Sequence, residues 1–124
     1  MPKYITGDLL HYKICNAKYL IEVTNTSKYG YCFKGVKDDF NGVICDEFIE
    51  DIPLTPEILE KNGWKKDKDG YFNDSYHIRL CESSTNYAAY KVVNKSIVWL
   101  RAVENVTDLQ HLLFGLDISL KIEI

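Results

Sequence analysis

The sequence of 124 residues lacks any apolar run long enough to cross a membrane or to act as a secretion signal. The opening residues 1–8 already mix charged and apolar side chains. We therefore expect a cytosolic protein with no membrane partner. Four Asn-X-Ser/Thr sites occur in the chain, but glycosylation requires a secretory route, so they predict nothing here.

The chain also lacks the cysteine spacing of a metal site or a redox pair. The four cysteines are scattered and form no Cys-X-X-Cys motif. Without a secretion signal, reduced thiols are the better interpretation than disulfides. His11, His77 and His111 lie far apart, and none has a second ligand at a recognised spacing. We predict no metal site and no cofactor.

Motifs for phosphate loops and nucleophile elbows are absent too. The net charge is −3, and the lysines at 65, 66 and 68 are interrupted by aspartates, which argues against a general nucleic-acid binder. Acidic side chains are dense only just before residue 52. They are Asp46, Glu47, Glu50 and Asp51. Solvated loop residues are the simplest interpretation of this group, and a small hydrolase that uses these acids is the alternative.

The composition is that of a globular protein, with 46% hydrophobic and 27% charged residues. A chain of this length makes a single domain with a real core. Aromatic residues reach 13%, and nine of them are tyrosines. Tyrosine suits half-buried sheet surfaces first and recognition surfaces second.

The clearest local signal is a short helix within residues 52–64. Thr55 has the properties of an N-cap, and Pro56 follows at the first helical position. Gly63 can adopt the left-handed conformation that ends a helix, and Trp64 can fold back against it. This segment separates a β-rich lobe, residues 1–51, from a second lobe, residues 65–124.

Alternation of apolar and polar residues predicts the rest of an α+β fold. In the first lobe it predicts a small antiparallel sheet or an SH3-like barrel. In the second lobe it predicts an antiparallel meander, with a two-residue turn at Asn94 and Lys95. The nearly uncharged segment 97–103 reads as a central strand buried on both faces.

A second helix is expected near residue 107, and a final strand follows it. Thr107 and Gln110 fit a capping box, with Thr107 as the N-cap. Residues 118–124 then alternate as a strand. If this strand stays unpaired, its apolar edge would favour a homodimer.

A binding surface is the one chemical hypothesis that the residues themselves support. Tyr31 lies in a tyrosine-rich strand, and Tyr76, His77 and Arg79 lie in a second one. An arginine beside tyrosines on a sheet can hold a nucleotide through forked hydrogen bonds and stacking. The competing interpretation is that the tyrosines are half-buried and Arg79 is solvated.

Two segments resemble a family of small uncharacterised proteins of phages, prophages and mobile elements of gut-type bacteria. Residues 52–64 resemble its "IPLTEEWLLKFGF"-like segment, and residues 106–116 resemble its "VHQLQNLYFALTG"-like helix. In that helix, Leu109, Gln110, Leu112, Phe114 and Leu116 match the family. Thr107, His111 and Gly115 depart from it, and the opening from Gly7 to Thr24 also resembles the family's start.

The resemblance implies a phage or mobile-element origin and action inside an infected bacterium. It supplies no catalytic residues. We therefore expect a non-enzymatic accessory protein, of anti-defence type, that sequesters a host nucleotide signal or a host protein. A phosphodiester or nucleotide hydrolase and a nucleic-acid-binding module, acting through the N-terminal barrel, are the alternatives.

Overall fold

The computed structural model describes residues 3–118 and 121–124, with only the backbone of Asp46. The chain divides into two compact units, residues 1–52 and 53–124. Each unit is built around a five-stranded antiparallel sheet. This is the predicted α+β fold.

The first unit contains five strands and one short 3-10 turn. In chain order they are β1 (Leu9–Ile14), β2 (Ala17–Ser27), β3 (Gly30–Gly35), β4 (Asn41–Ile44), the 3-10 turn (Asp46–Phe48) and β5 (Ile49–Glu50). The spatial order is β4-β3-β2-β1-β5. These strands form the small antiparallel sheet that the alternation pattern predicts.

The core of the first unit is rich in aromatic side chains. Its buried members are Tyr4, Leu10, Ile21, Val23, Tyr31, Phe33 and Ile44. The hairpin between β2 and β3 depends on Gly30, which has φ of +144°. A Cβ atom there would lie 2.0 Å from the carbonyl oxygen of Ile44, so no larger residue fits without moving β4.

The second unit contains two helices and a five-stranded meander. Its elements are α1 (Pro56–Lys61), β6 (Lys65–Asp67), β7 (Gly70–Asn73), β8 (Ile78–Glu82), β9 (Tyr87–Val93), β10 (Ser96–Val103) and α2 (Val106–Gly115). The strands lie side by side in the order β10-β9-β8-β7-β6. The two-residue turn between β9 and β10 is confirmed, and Asn94 adopts φ of 55° there.

Helix α1 has the ends that its sequence predicts. The Thr55 hydroxyl accepts a hydrogen bond from the Ile58 amide at 3.3 Å. Gly63 has φ of 88°. The amide of Trp64 donates to the Leu59 carbonyl at 3.0 Å, and that of Gly63 donates to Glu60 at 3.3 Å. These two bonds form a Schellman motif.

Helix α2 begins two residues earlier than predicted. Asn105 is the N-cap, and its side-chain oxygen accepts from the Asp108 amide at 2.8 Å. Thr107 is buried, and among the described residues its hydroxyl has no hydrogen-bond partner. Asparagine caps a helix as well as threonine does, and the earlier start places Val106 in the core.

Strand β10 is an edge strand, so the prediction of a central strand buried on both faces is wrong. It pairs with β9 alone. An apolar sequence shows that a strand can be buried, but the order of strands decides whether it is. The consequence is an exposed apolar edge.

The predicted final strand falls partly outside the described residues, since Ser119 and Leu120 are not described. Ile118 and residues 121–124 belong to no strand. The tail is held by a side chain: Asn62 donates to the Glu123 carbonyl and accepts from its amide, both at 2.7 Å.

Candidate functional site

The two faces of the second sheet differ sharply in burial. On β7 and β8 the side chains of Tyr71, Ile78 and Leu80 are buried, whereas Phe72 and Arg79 are partly exposed. Helix α2 contacts β10, and α1 contacts β6. We call the buried side, against which the helices pack, the inner face. The opposite side, which carries Phe72 and Arg79, is the outer face.

Pairing of the strands aligns five side chains in one row across the outer face. Lys65 pairs with Phe72, Phe72 with Arg79, Arg79 with Tyr90, and Tyr90 with Trp99. Directly opposed residues of neighbouring strands project on the same side, about 4.5–5.5 Å apart at Cβ. The outer-face row, as we name it, therefore runs Lys65, Phe72, Arg79, Tyr90, Trp99.

Arg79 is oriented by two contacts, one within this row and one beside it. Its guanidinium carbon lies 5.1 Å from the centre of the Phe72 ring, a cation–π contact. One terminal nitrogen, Nη1, donates to the Asp67 carboxylate at 2.6 Å. This bond is the main reason that the pKa of Asp67 is lowered, so the carboxylate stays ionised.

Most of the hydrogen-bonding capacity of Arg79 is unused. A guanidinium has five N–H groups in a planar fork, and among the described residues only one bond from it is made. Fork geometry matches phosphate and carboxylate oxygens. Arg79 is therefore held in place and still able to bind an anion.

Tyr90 and Trp99 present aromatic surface that the protein does not use. In the described part of the chain neither ring packs against another aromatic ring. Trp99 is 60% exposed. Flat rings on a sheet are platforms on which nucleobases stack, because every base has a π-face.

Of the four residues predicted to bind ligand, only Arg79 lies in the outer-face row. Tyr76 and His77 lie in the turn between β7 and β8, where His77 has φ of 54° and is exposed. The His77 carbonyl accepts from the Val92 amide at 2.8 Å. This turn ends the alternation that the sequence suggests for residues 76–81.

Tyr31 belongs to the first unit and is buried, with 4% of its surface exposed. Its hydroxyl accepts from the backbone amides of Lys3 at 3.0 Å and Tyr4 at 3.4 Å. Its ring packs edge-to-face on Tyr4. In this structure Tyr31 is a core residue of the first sheet, and its role in ligand binding stays a prediction.

Three residues of the row, Phe72, Tyr90 and Trp99, were missed by sequence reasoning. A signal for two of them was present. The two-residue turn at Asn94 and Lys95 opposes Val93 to Ser96, and counting outward opposes Tyr90 to Trp99. Applying this register to the predicted hairpin would have placed both rings on one face.

Two acidic residues near the first helix, Glu50 and Asp51, are paired with lysines or with a tyrosine. Glu50 contacts Lys18 at 2.8 Å and Lys13 at 3.5 Å. Its pKa is lowered, chiefly by the hydrogen bond from Lys18. Asp51 accepts from the Tyr4 hydroxyl at 2.8 Å. A general acid needs the opposite shift, toward a raised pKa.

The histidines and cysteines assemble no metal site in residues 3–118 and 121–124. His11 lies on β1, half-buried, and burial lowers its pKa. His77 lies in a turn, and His111 lies on α2. All four cysteines are free thiols.

A polar cleft of about 370 Å³ lies near the start of α1. Its polar lining includes Lys66, Glu82, Ser83, Asn86, Tyr87 and Glu104. The Ser83 hydroxyl donates to the Asn86 side-chain oxygen at 2.6 Å, and an amide oxygen is not a general base. Burial, followed by the charge of Glu82, raises the pKa of Tyr87.

Comparisons with protein-family models, curated proteins and solved structures give no match to this chain. The family resemblance of the two helical segments thus stays a prediction. No helix within the described residues has the length and apolar character needed to cross a membrane.

Proposed function

We propose that this chain is a non-enzymatic binding protein that holds a nucleotide on the outer face of its second sheet. One observation carries the proposal: Arg79 sits between Phe72 and Tyr90, with Trp99 next in the row. The row offers a base-stacking surface and a phosphate-binding group side by side. No catalytic group needs to be present for such a protein to act.

Each residue has a distinct role in this proposal. Arg79 binds a phosphate oxygen with the N–H groups that Asp67 leaves free. Tyr90 and Trp99 stack on the base. The Phe72 ring contacts the guanidinium group through a cation–π interaction and so limits its orientation. Asp67 acts as a positioning residue, because it fixes Arg79 without contacting the ligand.

The biological setting follows from the family resemblance alone. A phage or mobile-element protein in a host cytosol would sequester a nucleotide signal of host defence, or a host protein. The outer-face row supports the proposal by placing two rings beside an arginine.

Native mass spectrometry with a panel of cyclic and ADP-ribose-type nucleotides tests the proposal. Intact ligand on the wild type is expected, with a loss of about tenfold or more in affinity for Trp99→Ala, since stacking contributes about 1–3 kcal/mol per base. Arg79→Ala should lose phosphate-bearing ligands selectively over nucleosides. Tyr29→Ala removes a ring that is 71% exposed in the turn between β2 and β3, and it is the matched control.

Two results would overturn the proposal. Equal affinity for the wild type, Trp99→Ala and Arg79→Ala would remove the outer-face row as the site. Release of ligand with altered mass would make the protein an enzyme, and the hydrolase alternative would replace the proposal.

Single-stranded nucleic acid is a second candidate for the same face. Aromatic residues on neighbouring strands of a sheet also stack successive bases. Lys65 at the end of the row supplies nearby positive charge. The two ligands are separated by salt, because a polynucleotide that contacts several cations binds with a steep salt dependence, whereas a mononucleotide does not.

A further inference from the structure

The edge of β10 exposes a run of apolar side chains that an isolated protein usually avoids. Ile97 is 63% exposed, Val98 50% and Trp99 60%. Edge strands of natural proteins are commonly protected by charge, proline or a covering element. Residues 96–100 contain none of the four charged types and no proline.

The pairing of β9 shows which backbone groups of this edge are free. The Val92 amide donates to His77 on the β8 side, at 2.8 Å. Lys91 and Val93 flank Val92, so their backbone N–H and C=O groups point toward β10. On β10, Val98 opposes Lys91 and Ser96 opposes Val93. Ile97 and Trp99 consequently turn their N–H and C=O groups away from the sheet.

We infer that a second copy of this chain pairs with this edge, antiparallel, about a two-fold axis at Ile97. The inference does not depend on the proposed nucleotide site. An antiparallel strand pair of identical edges is isologous, so every contact occurs twice. The unpaired groups of Ile97 would then bond to those of Ile97 in the second copy.

Two other two-fold registers use the same outward groups, and both are less favourable. An axis at Val98 would place Ser96 opposite Leu100 of the second copy. An axis at Trp99 would place Val98 opposite Leu100. The pairing of β10 with β9 shifts between Trp99 and Arg101, so Leu100 is the extra residue of a bulge, and bulges interrupt pairing.

The register centred on Ile97 leaves Leu100 outside the paired segment. It opposes Lys95 to Trp99 of the second copy, so an ammonium group lies beside an exposed indole that can form a cation–π contact. It opposes Ser96 to Val98, and Ile97 to its own counterpart. The segment from Lys95 to Trp99 stops before the bulge. This complementarity of the edge with itself is what favours a second copy over an unrelated strand.

The seam is short, so the dimer should be weak. Three or four apolar side chains per copy are covered, whereas a standard stable interface buries about 800 Å² on each partner. We expect association that depends on concentration, with monomer at low micromolar concentration and dimer at several hundred micromolar.

Sedimentation equilibrium over this concentration range tests the inference. The wild type should show a rising mean mass, and Ile97→Lys should raise the dissociation constant at least tenfold, because two lysines would meet at the axis. Val43→Lys is the matched control, since Val43 is a valine, 56% exposed, on the edge strand β4 of the first sheet. It should associate as the wild type does.

A disulfide provides a second test that does not rely on weakening the seam. Opposed hydrogen-bonded residues lie about 5.5 Å apart at Cα, within the range of a disulfide. Mild oxidation of Ile97→Cys should give a covalent dimer that the wild type, with its exposed Cys15 and Cys45, does not give under the same conditions. A wild type that stays monomeric throughout, or equal effects of Ile97→Lys and Val43→Lys, would overturn the inference.

Discussion

Aromatic rings of the first sheet pack against one another, whereas two rings of the second sheet do not. In the first, Phe33 lies 5.5 Å from Tyr12 and 5.6 Å from Phe40, ring centre to ring centre, and Tyr4 lies 5.4 Å from Tyr31. All three pairs are edge-to-face. In the second, Tyr90 and Trp99 lie on the outer face without a ring partner in the described part of the chain.

This difference separates aromatic residues that stabilise from those that remain available. A ring packed edge-to-face and buried contributes through the apolar area removed from water and through the ring pair itself. A ring left open contributes little to folding but keeps its face for a ligand. A high tyrosine content is therefore compatible with both roles, and position in the sheet decides between them.

The largest expected effect comes from truncating one ring on each sheet. Phe33→Ala should lower the free energy of unfolding by about 3–5 kcal/mol, because Phe33 is buried between Tyr12 and Phe40. Trp99→Ala should lower it by less than about 1 kcal/mol, because Trp99 is mostly exposed. Urea denaturation of both variants measures the difference. Equal losses would refute the comparison.

Neighbouring residues on β7 sharpen the comparison within a single strand. Tyr71 is buried on the inner face, so Tyr71→Ala should cost about 3 kcal/mol. Phe72 is partly exposed and contacts Arg79, so Phe72→Ala should cost about 1 kcal/mol, mainly the cation–π contact. Thermal unfolding followed by circular dichroism ranks the two. A larger cost for Phe72 would mean that the outer face is covered in solution.

Removing a tyrosine hydroxyl should give a smaller difference in stability between the two sheets. Tyr31→Phe removes the acceptor for the amides of Lys3 and Tyr4 and should cost about 1 kcal/mol. Tyr90→Phe should be close to neutral, since its hydroxyl has no partner among the described residues. Chemical denaturation with matched baselines resolves a difference of this size. A cost for Tyr90→Phe equal to that for Tyr31→Phe would show an unrecognised contact.

The last prediction concerns the hydroxyl of Tyr4, whose ionisation affects stability only at alkaline pH. Burial, followed by the hydrogen bond to Asp51, raises the pKa of Tyr4 from 10.0 to about 12. The folded state therefore holds the Tyr4 proton more tightly than the unfolded state does. Its contribution to stability is complete below pH 10 and is lost as the pH rises toward 12.

Alkaline spectrophotometric titration of the phenols measures this directly. A late phenolate step near pH 12 should be present in the wild type and missing in Tyr4→Phe. Tyr29→Phe, which removes an exposed tyrosine, should keep that step. Persistence of the step in Tyr4→Phe would assign it to another tyrosine.

Local rules predicted the parts of the fold that depend on a few consecutive residues. Helix α1 begins after Thr55 and ends before Gly63, as predicted, and the turn at Asn94 also forms as predicted. The predicted start of α2 was wrong because Asn105 and Thr107 are both good caps. Thr107 is buried in the helix, and Asn105 is the cap. A sequence pattern alone does not reveal which of two competent caps faces the core.

Features that depend on the order of the strands could not be predicted from short segments of the sequence. Strand β10 is as apolar as a central strand, yet it lies at the edge. Arg79 was correctly placed on a sheet surface, but its neighbours were taken from its own strand. The neighbours that matter, Phe72 and Tyr90, come from adjacent strands, and only the register supplies them.

The two edges of the second sheet have unlike chemistry, and this limits how far copies can assemble. Strand β6 has three residues, all charged and all exposed: Lys65, Lys66 and Asp67. Short charged edges resist pairing. A second sheet that accepts a partner along β10 therefore offers no similar edge at its other end. Pairing through β10 closes at two copies, because the two-fold contact uses the β10 edge of both.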